Sequence, residues 1–428
     1  MRILHYTIGF LPERSGGLPR YVTDLMNEQV KQGHELYAFY PGRINFIKKK
    51  TYLKKVHRSE VPRVIVYELI NSLPLPLFGG IKEPNAFMKK IDFRIYKNFL
   101  DEVNVDVIHI HTLMGLHQEF FKVANEKKIK IVFTSHDYFG LSPVPDFYIE
   151  HKSWDENNTD EFWNKCANQA MSRYKLRIFQ LSFYPSIRKL LNRIKGSREN
   201  RKLMKAHDSR NDIDFSLLRN YYTEIFKSID YFHFNSNIAK DVYCKNLKLV
   251  EEKVYKVISI TNGSICKHRN RKKEKRLVNT IAYIGPYQQN KGFYNFIDFA
   301  EKNGHEKYKF VVFGGDSSYK LPRGIENKGR FGYSELESIL DSIDLLLIPS
   351  LWKETFGFLV LEALSFGIPV MVSHNVGAKM LLEPTMIFEN LNDLVIPSKI
   401  ESVLIDVKTI DIHVREIIEL YKVREKND

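Results

Sequence analysis

Glu354-Thr355-Phe356-Gly357-Phe358-Leu359-Val360-Leu361-Glu362 is the stretch whose reading decides the fold. It follows an apolar run, Leu345–Ile348, and passes into LVLEALSFGIPV, so the order is strand, glycine-bearing loop, helix, strand. Gly357 falls near the first helical turn. There, free backbone N–H groups and the positive end of the helix dipole can receive an anion. Glu354 lies before the helix and Glu362 about two turns into it. Ionised carboxylates only accept hydrogen bonds, so the pair calls for hydroxyl donors on both sides of an anionic group.

Working outward, the same alternation recurs. Strand Thr280–Ile284, helix Gly292–Lys302, strand Lys309–Phe313, helix Ser334–Ile343, strand Leu345–Ile348, helix Phe358–Phe366 and strand Val370–Ser373 follow one another. Repeated βαβ order implies a parallel sheet covered by helices. The first half opens in the same way: strand Arg2–Gly9, a turn-rich loop with Gly16 and Gly17, helix Tyr21–Gln32 ending at Gly33, and strand Glu35–Tyr40. Further strands are expected at Val64–Leu69, Val107–His111, Ile129–Thr134 and Tyr231–Phe234. The glycine loop is not GxGxxG, so no dinucleotide fingerprint is supported. The expected class is α/β with two Rossmann-like domains facing a cleft, residues 1–265 and 277–428. The joint falls where charge replaces pattern, near Gly263 to Lys275.

The composition suits such a chain. Of 428 residues, 43% are hydrophobic and 27% charged, which excludes extensive disorder. Cys166, Cys244 and Cys266 show no metal-ligand spacing, and the expected setting is reducing. The opening residues do not suit a signal peptide, and no run approaches the roughly 18–20 apolar residues that span a bilayer. A cytoplasmic protein is expected, with peripheral attachment to the inner membrane face as an option.

That option comes from the net charge of +14, which is concentrated in one place. Between Met171 and Lys205 stand eleven basic residues against Glu199 alone, a local charge of +10, interleaved with aromatic and aliphatic residues. Anionic lipid heads attract such segments by about 1 kcal/mol per basic residue. An anionic membrane surface is therefore the expected partner. Nucleic acid ranks below it, since no helix-turn-helix, zinc-finger or RNP pattern is present.

Taken together, Gly285, Lys291-Gly292, Phe313-Gly314-Gly315, Phe331-Gly332-Tyr333, Pro349-Ser350, Glu354 through Glu362 and Gly367-Ile368-Pro369-Val370 resemble the retaining glycosyltransferases of family 4, which have the GT-B architecture. The resemblance is weakest between about Phe147 and Leu218 and after Glu389. It implies transfer of a sugar from a nucleoside diphosphate sugar to an acceptor hydroxyl, with retention. The first domain would carry the acceptor and the basic insertion. The second would bind the donor, with a last helix that can pack back on the first.

By this resemblance Glu354 would hold donor-sugar hydroxyls and Glu362 the nucleotide ribose. Thr355, Phe356 and Gly357 would meet the diphosphate, and Lys291 would neutralise one of its oxygens. Gly285, Gly314, Gly332 and Tyr333 complete the donor side, and Gly16 and Gly17 a phosphate and acceptor loop. His136, followed by Asp137, matches the family's active-site histidine, which would bond the donor sugar or present its carbonyl to the reacting centre. The catalytic set is thus His136, Glu354 and Lys291.

The departure is Pro286, where such enzymes commonly carry an arginine. Lys353, Arg20 or Arg330 are offered as substitutes. No cofactor and no metal are expected: His109 and His111 share a strand face without an evident third ligand, and Asp212-Ile213-Asp214 lacks a preceding strand. A glycan or lipid-linked acceptor in surface polysaccharide assembly is the expected context. The alternatives are a nucleotide-sugar epimerase of the same architecture and a non-catalytic nucleotide-sugar binding subunit, the latter motivated by Pro286.

Overall fold

The structure is a computed structural model that describes residues 1–14, 16–57, 61–76, 79–178, 180–181, 212–265, 275–303, 307–401 and 407–423. Most of the basic stretch 171–205 lies outside the described residues, as does most of the expected joint.

The first sheet has eight strands. Five parallel strands form its centre: β1 (Arg2–Tyr6), β2 (Glu35–Pro41), β4 (Val64–Ile70), β5 (Val107–Ile110) and β6 (Lys130–Thr134). β9 (Tyr231–Phe234) and β10 (Val254–Val257) extend one edge, and the short β3 (Tyr52–Lys55) closes the other antiparallel to β4. The order is β10-β9-β6-β5-β1-β2-β4-β3. Helices α1 (Gly17–Lys31), α2 (Arg94–Val103), α3 (Gln118–Glu126), α4 (Asp160–Gln169), α5 (Arg173–Ile178), α6 (Ser216–Lys227) and α7 (Asn237–Asn246) belong to this half. A two-residue hairpin, β7 (Tyr148–Ile149) with β8 (Lys152–Ser153), precedes α4.

The second sheet has six parallel strands in the order β14-β13-β12-β15-β16-β17. They are β12 (Thr280–Ile284), β13 (Lys309–Phe313), β14 (Ile325–Asn327), β15 (Leu345–Ile348), β16 (Val370–Ser373) and β17 (Ile387–Phe388). Helices α8 (Phe293–Lys302), α9 (Leu336–Asp341) and α10 (Phe358–Ser365) connect them. Outside the sheet, β11 (Lys275–Leu277) pairs antiparallel with β18 (Lys399–Glu401). The charged stretch expected to be a joint therefore ends in a strand. Near-continuous apolar sequences such as LLLI in β15 arise because both faces of a parallel sheet are covered.

The last helix, α11 (Ile410–Lys422), leaves the second half and lies against the first. Its amphipathic pattern buries His413, Val414, Ile417, Ile418, Leu420 and Tyr421. Tyr421 reaches His109 on β5 (2.6 Å) and Gln29 on α1 (3.2 Å), and Lys130 on β6 donates to the Leu420 carbonyl (2.7 Å). One apolar core runs unbroken from α1 and β2 through α10 and β16 to α11. Removing side-chain volume from that seam should loosen both halves together. Ile417→Ala, at a fully buried position, is expected to cost about 2–5 kcal/mol. Urea denaturation should show the loss, and amide exchange should show α11 opening first.

Candidate functional site

The site assembles where the amino ends of two helices converge. α1 starts at Gly17, and a Cβ there would stand 2.9 Å from the ring of Phe358, the first residue of α10. Gly16, with φ +123°, caps α1 in a conformation that favours glycine. Gly357 caps α10 with φ +101° and no side-chain bond, so the dipole end carries no acceptor of its own.

Ahead of that cap, the loop Ser350–Gly357 is held by its backbone. Glu354 N–H donates to Asn375 O (2.9 Å), and Gly377 N–H donates to Glu354 O (3.0 Å). Ala378 N–H donates to Phe356 O (2.7 Å). The first half grips the same loop. Ser236 Oγ donates to Thr355 O, Tyr138 Oη to Lys353 O (2.8 Å), and Thr355 Oγ1 to His136 O (2.9 Å). The His136 carbonyl thus has one of its two lone pairs committed to Thr355.

Glu354 and Lys291 form the first of two charged centres. The Glu354 carboxylate is buried and takes a bond of 2.8 Å from Lys291 Nζ, which also lies 4.8 Å from the centroid of the Trp352 ring. Gly292 makes this placement possible: its φ is +71°, and a Cβ would lie 1.7 Å from Pro349 O. A phosphate entering here would compete with Glu354 for the ammonium.

Glu362 forms the second. It is the one ionisable residue in FLVLEALS and is 7% exposed, so desolvation pushes its carboxyl up from the ordinary range. Three segments answer that burial. Tyr333 Oη donates to Glu362 Oε1 (2.8 Å), Asn262 Nδ2 does so at 3.1 Å, and Arg20 Nη1 stands 3.8 Å away. The Arg20 guanidinium lies 3.2 Å from the Tyr333 ring centroid, and Ser264 Oγ bonds Tyr333 Oη at 2.7 Å.

The remaining glycines lie around these centres. Gly285 N–H donates to Phe313 O (2.9 Å), a Cβ on Gly314 would meet Gly285 O at 2.6 Å, and the Glu335 carboxylate accepts from Gly332 N–H. Of the three cations offered for Pro286, Lys353 is paired with Asp155 and Glu156, and Arg330 is exposed. Arg20 is the one at the Glu362 centre. The sequence did not single out Asn262 or Ser264; the Asn262-Gly263 turn dipeptide at the end of the first half was the available signal for them.

His136 follows β6 in a loop that also carries Asp137. Desolvation drives the imidazole down to about 3 and raises the Asp137 carboxyl to about 7, while Phe139 N–H donates to that carboxylate at 2.9 Å. His109 and His111 have a third neighbour after all, since parallel pairing of β1 with β5 sets His5 opposite His109. Ring nitrogens of these three buried histidines lie within 4.8 Å of one another.

Comparison with known proteins identifies the family and the fold. Residues 15–258, more than half of the chain, match the family described as Glycosyltransferase Family 4, and residues 265–409 match Glycosyl transferases group 1. Two Klebsiella pneumoniae proteins, each described as an uncharacterized protein in the cps region, are similar. One is 20% identical over 76% of this chain and 74% of its own, the other 24% over 63% and 60%. Among solved structures, a glycosyltransferase from Rickettsia africae superposes with TM-score 0.56 at 14% identity, covering 100% of this chain and 99% of its own. Sucrose-phosphate synthase from Thermosynechococcus elongatus gives 0.51 at 12%, covering 98% and 94%. The architecture is GT-B, two Rossmann-like domains with parallel sheets. No helix among the described residues is long and apolar enough to cross a membrane.

Between the ordinary carboxyl value of 3.8 and about 7, folded Asp137 retains a proton that the unfolded chain releases. Stability contributed by this residue therefore falls as pH rises through that window. Asp137→Asn is expected to flatten the fall, read as urea midpoints from pH 4 to 8; an unchanged slope would place the raised carboxyl elsewhere.

Proposed function

This chain belongs to glycosyltransferase family 4, and from that premise we propose that it moves a sugar from a nucleoside diphosphate sugar to an acceptor hydroxyl with retention of anomeric configuration. The observation that carries the reading is the pair of charged centres flanking the bare amino end of α10: Lys291 with Glu354 on one side, and Glu362 with Tyr333, Asn262 and Arg20 on the other. A nucleoside diphosphate sugar has hydroxyls, diphosphate and hydroxyls in that order.

In this reading Glu362 accepts from the ribose and the α10 terminus receives the diphosphate. Lys291 leaves Glu354 for a phosphate oxygen, which frees the Glu354 carboxylate to take the sugar hydroxyls. Charge that develops on the leaving diphosphate meets N–H groups and an ammonium already in place. Contacts between the halves around Thr355 and His136 orient donor and acceptor and exclude water. The departing phosphate takes the acceptor proton on the same face. Residues 1–265 form the acceptor side, and 277–428 the donor side.

The acceptor is proposed to be a glycan, carried on a lipid pyrophosphate, in surface polysaccharide assembly. The cps-region relatives support that context, and the exposed Arg173, Tyr174 and Lys175 of α5 suit an anionic membrane face. Pro286 favours the second reading, a nucleotide-sugar binding subunit without turnover.

Incubating the purified protein with a panel of UDP-, GDP- and ADP-sugars, chelator and membrane extract separates the two. The expected result is turnover of one donor, an acceptor-linked sugar of unchanged anomeric configuration by NMR, and loss of at least about a hundredfold in rate in Glu354→Ala and Lys291→Ala. Donor binding without product would establish the binding subunit, and an inverted free sugar nucleotide would establish an epimerase.

A further inference from the structure

Buried histidines dominate the polar interior of the first half. His5, His109, His111, His233 and His413 are fully buried, and His136 stands where their cluster meets the cleft. Desolvation keeps them neutral: His5 falls to about 4, and His109, His111 and His233 lie well below the ordinary value. A neutral imidazole has one N–H and one lone pair, so each bond it makes decides the sense of the next.

The sense is set at a carbonyl. His233 Nε2 lies 2.8 Å from Ile258 O, which can only accept, so Nε2 carries the proton and Nδ1 is bare. Thr134 Oγ1 donates to that Nδ1 (2.8 Å) and, its single proton spent, accepts from His109 Nε2–H (2.7 Å). His109 Nδ1 is then bare and accepts from Tyr421 Oη (2.6 Å). The Tyr421 oxygen accepts from Gln29 Nε2 (3.2 Å), which turns Gln29 Oε1 toward His5 Nε2 (2.8 Å) and makes that nitrogen the donor. His5 Nδ1 accepts from His111 Nε2–H (3.0 Å), and His111 Nδ1 accepts from His136 Nε2–H (3.3 Å). Every group donates once along this path. His136 is left with a bare Nδ1.

We propose that this chain is a positioning device which holds His136 as its Nε2–H tautomer, so that Nδ1 meets the sugar donor as a hydrogen-bond acceptor. Gln29 of α1 and Tyr421 of α11 are its positioning residues, and His5 and His111 transmit the sense. The inference rests on the proposed reading only in taking the donor sugar as the ligand. It assigns the last helix a task besides covering the core, since without the Tyr421 hydroxyl the Gln29 amide can turn over and the tautomers beyond it are no longer specified. It also gives His136 one role: it takes a bond from a sugar hydroxyl and delivers no proton from Nδ1.

The three-histidine cluster has the ligand types of a metal centre. Both nitrogens of His5 and both of His109 are nevertheless engaged in the chain, so an ion could enter only by breaking it.

The tautomers can be read without turnover, by two-bond ¹H–¹⁵N correlation on protein labelled with ¹⁵N-histidine, with the His136 signals assigned through their loss in His136→Gln. The expected result is His136, His111 and His5 each protonated at Nε2 and bare at Nδ1. In Tyr421→Phe, or in Gln29→Leu should that variant fold better, these signals are expected to become tautomer mixtures. The kcat for transfer should then fall at least about tenfold with donor KM less affected. Protonated Nδ1 on His136 in the native protein, undisturbed tautomers in both variants, or a stoichiometric metal ion ligated by His5 and His111 would overturn the inference. Correct tautomers in a protein that transfers no sugar would refute the proposed function and leave the inference standing.

Discussion

A carboxylate placed in the middle of an apolar helix must be met by donors or lose its charge, and the buried Glu362 imposes that demand on everything around α10. Its partners come from far apart in sequence: Arg20 from the first turns of α1, Asn262 from the end of the first half, and Tyr333 from the segment before α9. To satisfy one oxygen, the chain must bring both halves to the same point. The cleft, the meeting of the α1 and α10 termini, and the stacking of Arg20 on Tyr333 follow from that requirement.

The second centre balances the first. Lys291 and Glu354 neutralise each other at 2.8 Å, so the structure holds charges that a phosphate and a hydroxyl can separately reclaim. Partners already aligned before a ligand arrives need little reorganisation when charge develops, the condition under which electrostatic stabilisation is most effective. Arg20, one of the cations offered for the arginine missing at Pro286, stands beside Glu362.

Much of the second half was legible because its signals are local. Each β-strand from β12 to β16, apart from the short β14, ended within a residue of its apolar run, and Gly292 and Gly357 marked turns that the backbone requires. The first half yielded less. Helices α2, α3, α4, α6 and α7 went unassigned, although amphipathic faces, such as Tyr96, Phe99, Leu100 and Val103 in α2, carried the period. The short edge strand β3, with its polar Lys54 and Lys55, offered no strand pattern. What periodicity could not reveal was register. His5 faces His109 because β1 pairs with β5, and Tyr421 reaches Gln29 because α11 crosses back over the first sheet. Both are properties of the assembled chain.

The central claim is that one nucleoside diphosphate lies across the amino end of α10 between Lys291 and Glu362. Calorimetric titration of UDP, GDP and ADP into the native protein, Lys291→Ala and Glu362→Gln tests it most directly. The account predicts that one of the three binds, and that each substitution weakens it about ten- to a hundredfold, the worth of a hydrogen bond to a charged group. A nucleotide that binds native protein and both variants with equal affinity would place the ligand elsewhere and contradict the account.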